Sequence, residues 1–453
     1  MPFIPHTHED ERKMLASIGV DTIEDLFDEI PSALRAGELN QTPEGLSEMQ
    51  LMRLMTERAA LDRVQLSFLG AGAYEHHIPA AVWDLVSRGE FMTAYTPYQA
   101  EASQGTLQLI YEYQTMMSRL MQMDVANASV YDGASAMAEA ILMAVRANKK
   151  VKSRRVLVAG DIHPRYIKAC RTIVGNQGID LEVLPFDRET GCLDPKGLAA
   201  DEAVALVVSY PNFFGGLCNV NALTDLAHAA AALVIGVVNP TAMALLQPPG
   251  SWGETGADIV VGEGQPLGIP LASGGPYLGF MCCRQSIVRQ MPGRIIGRTS
   301  DLDDKEGFAL TLQAREQHIR RGKATSNICT NQGLLVTAAS IYLSLMGDKG
   351  LRSVAVQCHE GLQSLLAKAL ALPQVSQRFT GPAFHETVLE LPVKAADLLS
   401  VMLQDGIIGG YDLGEVDATL DHCMLVNVTE TKTVEDIEVW ARSLAAALED
   451  QSC

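Results

Sequence analysis

The stretch Ala203–Val238, AVALVVSYPNFFGGLCNVNALTDLAHAAAALVIGVV, holds two apolar, β-branched runs, Ala203–Tyr210 and Leu233–Val238, with a helix-length interval between them. Alternating polarity would mark a strand with one wet face, whereas continuous hydrophobicity marks strands covered on both faces, as in a parallel sheet. Similar runs recur outward in both directions, at Arg155–Ala159 and Leu181–Phe186 before it and at Asp258–Val261 and Tyr277–Cys282 after it. The pattern predicts a largely parallel α/β domain.

Beyond about Asn331 a long helical stretch leads to strands Thr387–Leu391 and Met424–Val428 with helices Ala395–Gln404 and Val434–Leu448, a small α+β domain. At the other end, Asp21 with Glu24 precedes Ile23, Leu26, Phe27 and Ile30 at helical spacing before Pro31. Ser47 with Gln50 opens a second apolar face at Leu51, Leu54 and Met55. A helical N-terminal arm is expected over 1–65, the large domain over 66–325 and the small one over 326–453. The arm's apolar faces need a partner surface.

The chain has 453 residues, 47% hydrophobic and 20% charged, an ordinary balance for a folded protein. Its 35 Lys and Arg against 54 Asp and Glu give a formal net charge of −19, which works against nucleic acid and anionic membrane as partners. No apolar run approaches the roughly 20 residues of a membrane span, and the acidic start lacks the features of a secretory signal, so a cytoplasmic address is expected. Nine cysteines without a CxxC pair predict reduced, mostly buried thiols and no zinc site. His6 and His8 read as a solvated tail, and no metal is expected.

Dinucleotide binding fails on its glycines: Gly70-Ala-Gly72 lacks the third glycine and Gly262-Glu-Gly264 runs into Gln265-Pro266. Pyridoxal phosphate (PLP) chemistry makes other demands: a lysine for the Schiff base, a carboxylate for the pyridinium proton, an aromatic face, and N–H groups at a helix start for the phosphate. The segment Val130-Tyr-Asp132-Gly133-Ala-Ser135-Ala136 ahead of the helix Met137–Ala147 suits the last demand, and suits a tight helix cap equally. The other demands look unmet. The run Leu233–Val238 ends in Asn239-Pro240 where an acid is needed, and no lysine occurs from Cys218 through Asp304.

Four segments carry a resemblance: Phe68–Pro79 (FLGAGAYEHHIP), Ala94–Gly105 (AYTPYQAEASQG), Gly262–Gly268 (GEGQPLG) and His318–Gln332 (HIRRGKATSNICTNQ). In order and over essentially the whole chain, they resemble the glycine cleavage system P-protein family, more narrowly the α chains (subunit 1) of its two-subunit form. The resemblance implies a fold-type-I PLP-dependent transferase, aspartate-aminotransferase-like. It further implies a glycine dehydrogenase β subunit (subunit 2) that carries PLP and its lysine, glycine as substrate, and the lipoyl arm of H-protein as acceptor of the aminomethyl group. On this reading the Asp132, Gly133 and Ser135 cup is vestigial.

Tyr95, Tyr98 and Gln99 are expected to reach the partner's site, since loops ahead of the first core strand commonly serve a neighbour in this fold class, and tyrosine supplies a rigid face with one hydroxyl. The alternative is that they only pack the subunit interface. Tyr74, His76 and His77 are weaker candidates. Arg315, His318, Arg320, Arg321 and Lys323 form a cationic run that, on a helix, would present Arg315, His318 and Arg321 together to carboxylates of a partner or an acidic H-protein. Pairing with this chain's own acids is the alternative. A self-sufficient PLP enzyme and a non-catalytic homologue stand as rival functions.

Overall fold

The computed structural model describes residues 5–35, 40–62, 66–198 and 200–451. The chain divides into two compact units, Met1–Arg63 and Val64–Cys453. In the first, helix α1 (His8–Ile18) starts on a reciprocal Thr7–Asp10 capping box and stops at Gly19, which takes a left-handed φ of 89°. Helix α2 (Glu48–Ala59) starts on the expected Ser47–Gln50 box.

The helix expected from Asp21 to Ile30 does not form: only a 3-10 turn, Glu24–Phe27, is present. No side chain caps this turn; the Asp25 carboxylate instead reaches back to accept from the N–H groups of Asp21 and Thr22. Ile23, Leu26, Phe27 and Ile30 are all exposed, so no packing offsets the cost of nucleating a longer helix.

The second unit is built on a seven-stranded sheet of β1 (Val125–Ala126), β2 (Arg155–Ala159), β3 (Asp180–Leu184), β4 (Ala203–Tyr210), β5 (Leu233–Val238), β6 (Ile259–Glu263) and β7 (Gly279–Cys283), ordered β1-β7-β6-β5-β4-β2-β3. Strands β3, β2, β4, β5 and β6 run parallel, while at one edge β7 joins β6 antiparallel and β1 joins β7 antiparallel. The expected β2, β4 and β5 have the observed bounds, and the other three expected runs lie within two residues of theirs. Continuous burial along these strands is what the apolar runs require: Ala203–Val208 and Val234–Val238 are all buried.

Helices α3 (Gln104–Met121), α4 (Gly133–Ala147), α5 (Pro164–Val174) and α6 (Val220–Ala229) share the core of this sheet. A hairpin of β8 (Ile295–Ser300) and β9 (Glu306–Thr311), which no apolar run announces, follows β7. Helix α7 (Gly333–Ala369) leads away from the sheet and is interrupted at Gly347, where φ is 59° and ψ is −170°. Beyond it, β10 (Ser376–Gln377), β11 (Glu386–Glu390), β12 (Tyr411–Asp412) and β13 (Cys423–Asn427) form an antiparallel sheet in the order β10-β11-β13-β12. Helices α8 (Ala395–Gln404) and α9 (Val434–Asp450) cover it through a second core around Trp440, Leu398 and Leu444.

Phe213, Phe214 and Phe379 join the two sheets in a third, aromatic cluster. Beside it the expectation of free thiols fails at one place, since Cys192 and Cys218 form a disulfide with 5.5 Å between their Cα atoms. Their separation of 26 residues carries no disulfide signature; they meet because Asn212 draws the segments 191–192 and 216–218 together, bonding Gly191 O, Phe214 N and Gly216 N. Cys170, Cys282, Cys283, Cys358 and Cys423 are free and buried as expected, and Cys329 is free and exposed. Among the described residues no helix is long and apolar enough to cross a membrane.

Candidate active site and partner face

Chain direction reverses across the sheet after β3, because β3 pairs with one edge of β2 and β4 with the other. In sheets of this kind ligands bind outside the carboxyl ends of the strands near such a switch. A cleft of about 70 Å³ opens there, lined by residues that follow β4 (Pro211, Asn212), β5 (Asn239) and β6 (Glu263), with His163 and Tyr166 from the start of α5. None of its lining residues is a lysine. Asn239, at the end of β5, accepts from the N–H of Thr241 and sets its amide 3.3 Å from His385 Nε2.

The start of α4 is satisfied from within the chain. Asp132 Oδ1 accepts from the Ser135 N–H at 2.7 Å and its hydroxyl at 2.8 Å, so the helix-cap reading of this segment is realised. Glu263 Oε2 accepts from the Gly133 N–H at 3.0 Å, while Oε1 accepts from Gln265 N at 3.0 Å and Leu278 N at 2.8 Å. Burial pushes the Glu263 carboxyl up to about 7, against the pull of these three donors. Gly133 is required at this point: a Cβ there would stand 2.3 Å from the Tyr166 hydroxyl. Tyr166 stacks on His163 at 5.2 Å, and Phe213 flanks the same imidazole at 4.8 Å.

The loop Gly70–Pro79 closes over this cleft and is fastened to the small sheet. Glu386 Oε1 accepts from Ala71 N at 2.7 Å, and its Oε2 accepts from the Tyr74 hydroxyl at 2.5 Å. Burial raises the Glu386 carboxyl to about 7. Farther along, Glu430 holds His76 Nδ1 at 2.7 Å and the His77 N–H at 2.8 Å, and accepts from the Cys358 thiol at 3.3 Å. Tyr74 and His76 are thus interior fasteners of the loop, with Tyr74 packed 4.4 Å from the His385 ring.

Elsewhere on this unit the structure brings together two sets of residues that the sequence offers separately. Tyr98, Glu316, His318, Arg321, Asn327 and Cys329 line one concavity of about 540 Å³. Tyr98 meets the His318 ring edge-on at 5.8 Å and lies under the Arg294 guanidinium at 5.6 Å. Arg294, itself buried, is anchored to Cys329 O at 2.8 Å and Asn331 Oδ1 at 3.1 Å. Tyr95 is 82% exposed, and Gln99 is exposed as well.

The cationic run is not a helix, which corrects the expectation that Arg315, His318 and Arg321 share one helical face. It comprises a 3-10 turn (Gln313–Arg315), one α-helical turn (Gln317–Arg320) and a second 3-10 turn (Arg321–Lys323), broken at Arg321, whose φ is 52°. Arg315 points inward to Met291 O, and burial lowers its pKa. Glu316, its carboxyl raised by burial, lies 3.7 Å from His318, so part of the run faces an acid of this chain. Arg320, Arg321 and Lys323 are exposed.

Sequence reasoning missed Glu263, Glu386, His163 and Tyr166. Glu263 carried one local signal, a carboxylate ending an otherwise apolar strand; the others meet only through the fold.

The family model for the glycine cleavage system P-protein matches residues 1–444. A probable glycine dehydrogenase (decarboxylating) subunit 1 of Thioalkalivibrio sulfidiphilus is 61% identical, the alignment covering 99% of this chain and 100% of that one; the counterpart from Alcanivorax borkumensis is 60% identical with the same coverage. A crystal structure of glycine decarboxylase (P-protein) in inhibitor-bound form superposes with a TM-score of 0.89 at 38% identity, covering 99% of this chain and 100% of that one. A glutamate decarboxylase from Lactobacillus brevis, TM-score 0.67 at 12% identity with 95% and 97% coverage, shares the fold alone. The architecture is that of fold-type-I PLP enzymes, and the chain belongs to the glycine cleavage system P-protein family.

Proposed function

We propose that this chain is the subunit of a glycine dehydrogenase (decarboxylating) that does not bear the cofactor, working with a homologous subunit 2 that does. The assembly decarboxylates glycine with PLP and passes the aminomethyl group to the lipoyl arm of H-protein. The observation that carries the reading is the chemistry at the strand ends: Asn239 follows β5 and Glu263 ends β6, and neither can form an aldimine or, in the case of Asn239, ion-pair with a pyridinium.

On this reading Tyr95, Tyr98 and Gln99, with the concavity of His318 and Arg321, form one wall of the partner's site. Arg320, Arg321 and Lys323 face the partner or the acidic carrier, whereas Arg315 is turned inward to Met291 O. Exposed tyrosines beside a polar hollow, with exposed Arg320, Arg321 and Lys323 in a chain of net charge −19, favour this use over a purely solvated surface.

Two measurements test it. Borohydride reduction of the chain purified alone with PLP, followed by peptide mapping, should yield no phosphopyridoxyl-lysine; finding one would defeat the reading. In the reconstituted complex, Tyr95→Phe with Tyr98→Phe should lower glycine–bicarbonate exchange by on the order of tenfold, about 1.4 kcal/mol of transition-state stabilisation. Unchanged exchange with intact assembly would remove these hydroxyls from the site.

A further inference from the structure

We infer that Glu263 is a built-in substitute for an anionic ligand: its carboxylate occupies the N-terminus of α4 from within the chain and closes the strand-end cleft to phosphate compounds. A helix start with a glycine and small residues is a ready anion site because its N–H groups and the helix dipole converge outward. Here two of those groups are already engaged. Gly133 N–H goes to Glu263 and Ser135 N–H to Asp132, and two further backbone donors, from Gln265 and Leu278, converge on the same Glu263 carboxylate. One side chain thereby ties together the end of β6, the start of α4 and the approach to β7.

The space agrees with the bonding. The cleft is confined, with a cavity volume of about 70 Å³. Tyr166 lies over Gly133 so closely that a Cβ there would meet its hydroxyl. An added phosphate would meet two carboxylates, Glu263 and Asp132, with no lysine or arginine among the residues that line the cleft. The residues present therefore do not fit PLP. The inference stands on the fold and its hydrogen bonds; it supports the proposed function without depending on it.

The test uses the full chain and follows thermal unfolding with inorganic phosphate or PLP, against chloride of equal ionic strength. The wild-type midpoint should be the same in phosphate and chloride, and equilibrium dialysis should show no PLP retained. Glu263→Gly should unfold roughly 5 °C lower because three backbone donors lose their acceptor, and phosphate should restore at least half of that loss. Glu263→Gln, which keeps one acceptor oxygen, should fall between the two. Phosphate or PLP stabilising the wild type, or a Glu263→Gly chain that is neither destabilised nor rescued, would overturn the inference. Should Glu263→Gly fail to fold, Glu263→Gln and the wild-type dialysis decide it. None of these readouts involves catalysis, so unaffected exchange in the tyrosine variants would leave the inference standing.

Discussion

Glu386 shows how a single buried side chain sets a pH dependence. Its folded carboxyl titrates at about 7, raised by burial, against an ordinary value of 4.5, so between those limits the folded chain holds a proton that the unfolded chain has released. Stability from this group is therefore fully present below about pH 4.5 and is lost as pH rises through 7. Glu386→Gln removes the titration while keeping a polar partner for Ala71 N and Tyr74. Urea unfolding should show the variant gaining on the wild type by about 3 kcal/mol between pH 4.5 and 8, since each tenfold difference in proton affinity between the folded and unfolded chain is worth about 1.4 kcal/mol. His163 and His385, both held neutral chiefly by burial, act in the opposite sense as pH falls, so the comparison with the variant, rather than the raw profile, isolates Glu386. Nothing local announces Glu386: it opens the strand ETVLE, 312 residues from the tyrosine it holds.

At the scale of elements, the cap of α4 is the feature most open to a direct check. Asp132→Ala removes the acceptor for both the Ser135 N–H and its hydroxyl and should cost about 1 kcal/mol in chemical denaturation, with Asp132→Asn costing less because it keeps an oxygen there. Strands were legible where burial on both faces writes itself as an unbroken apolar run, as in β2, β4 and β5. Hairpin β8–β9 was not: IIGRTS and EGFALT mix glycine, charge and threonine because only part of each strand is covered. The turn at Glu24–Phe27 failed in the other direction, since helical spacing without a surface to cover specifies nothing. The cationic run failed because extended backbone at Glu316 and a positive φ at Arg321 break the period that the spacing assumed.

The whole molecule keeps one unit without much interior. In Met1–Arg63 the large apolar side chains Ile18, Phe27, Leu34, Met49, Met52 and Leu61 are exposed, and among the described residues of that unit only Leu15 is buried. Exposed apolar area on this scale marks an interaction surface or an aggregation liability. The chain alone is expected to run as a broad, concentration-dependent species in light scattering, and coexpression with subunit 2 to give one sharp mass together with activity. A monodisperse chain that ignores its partner would contradict the proposed assembly.

Local pattern alone determined the buried parallel sheet, the capping box of α2 and, through four ordered motifs, the family. Periodicity and motif order are properties of neighbouring residues, and they survive without knowledge of where the chain goes next. What the tertiary structure decided is convergence: Glu263 on Gly133 across 130 positions, Tyr98 under Arg294, and Cys192 on Cys218. Each depends on which strand edge a crossover returns to, and that choice is set by the packing of whole layers rather than by the residues that finally meet.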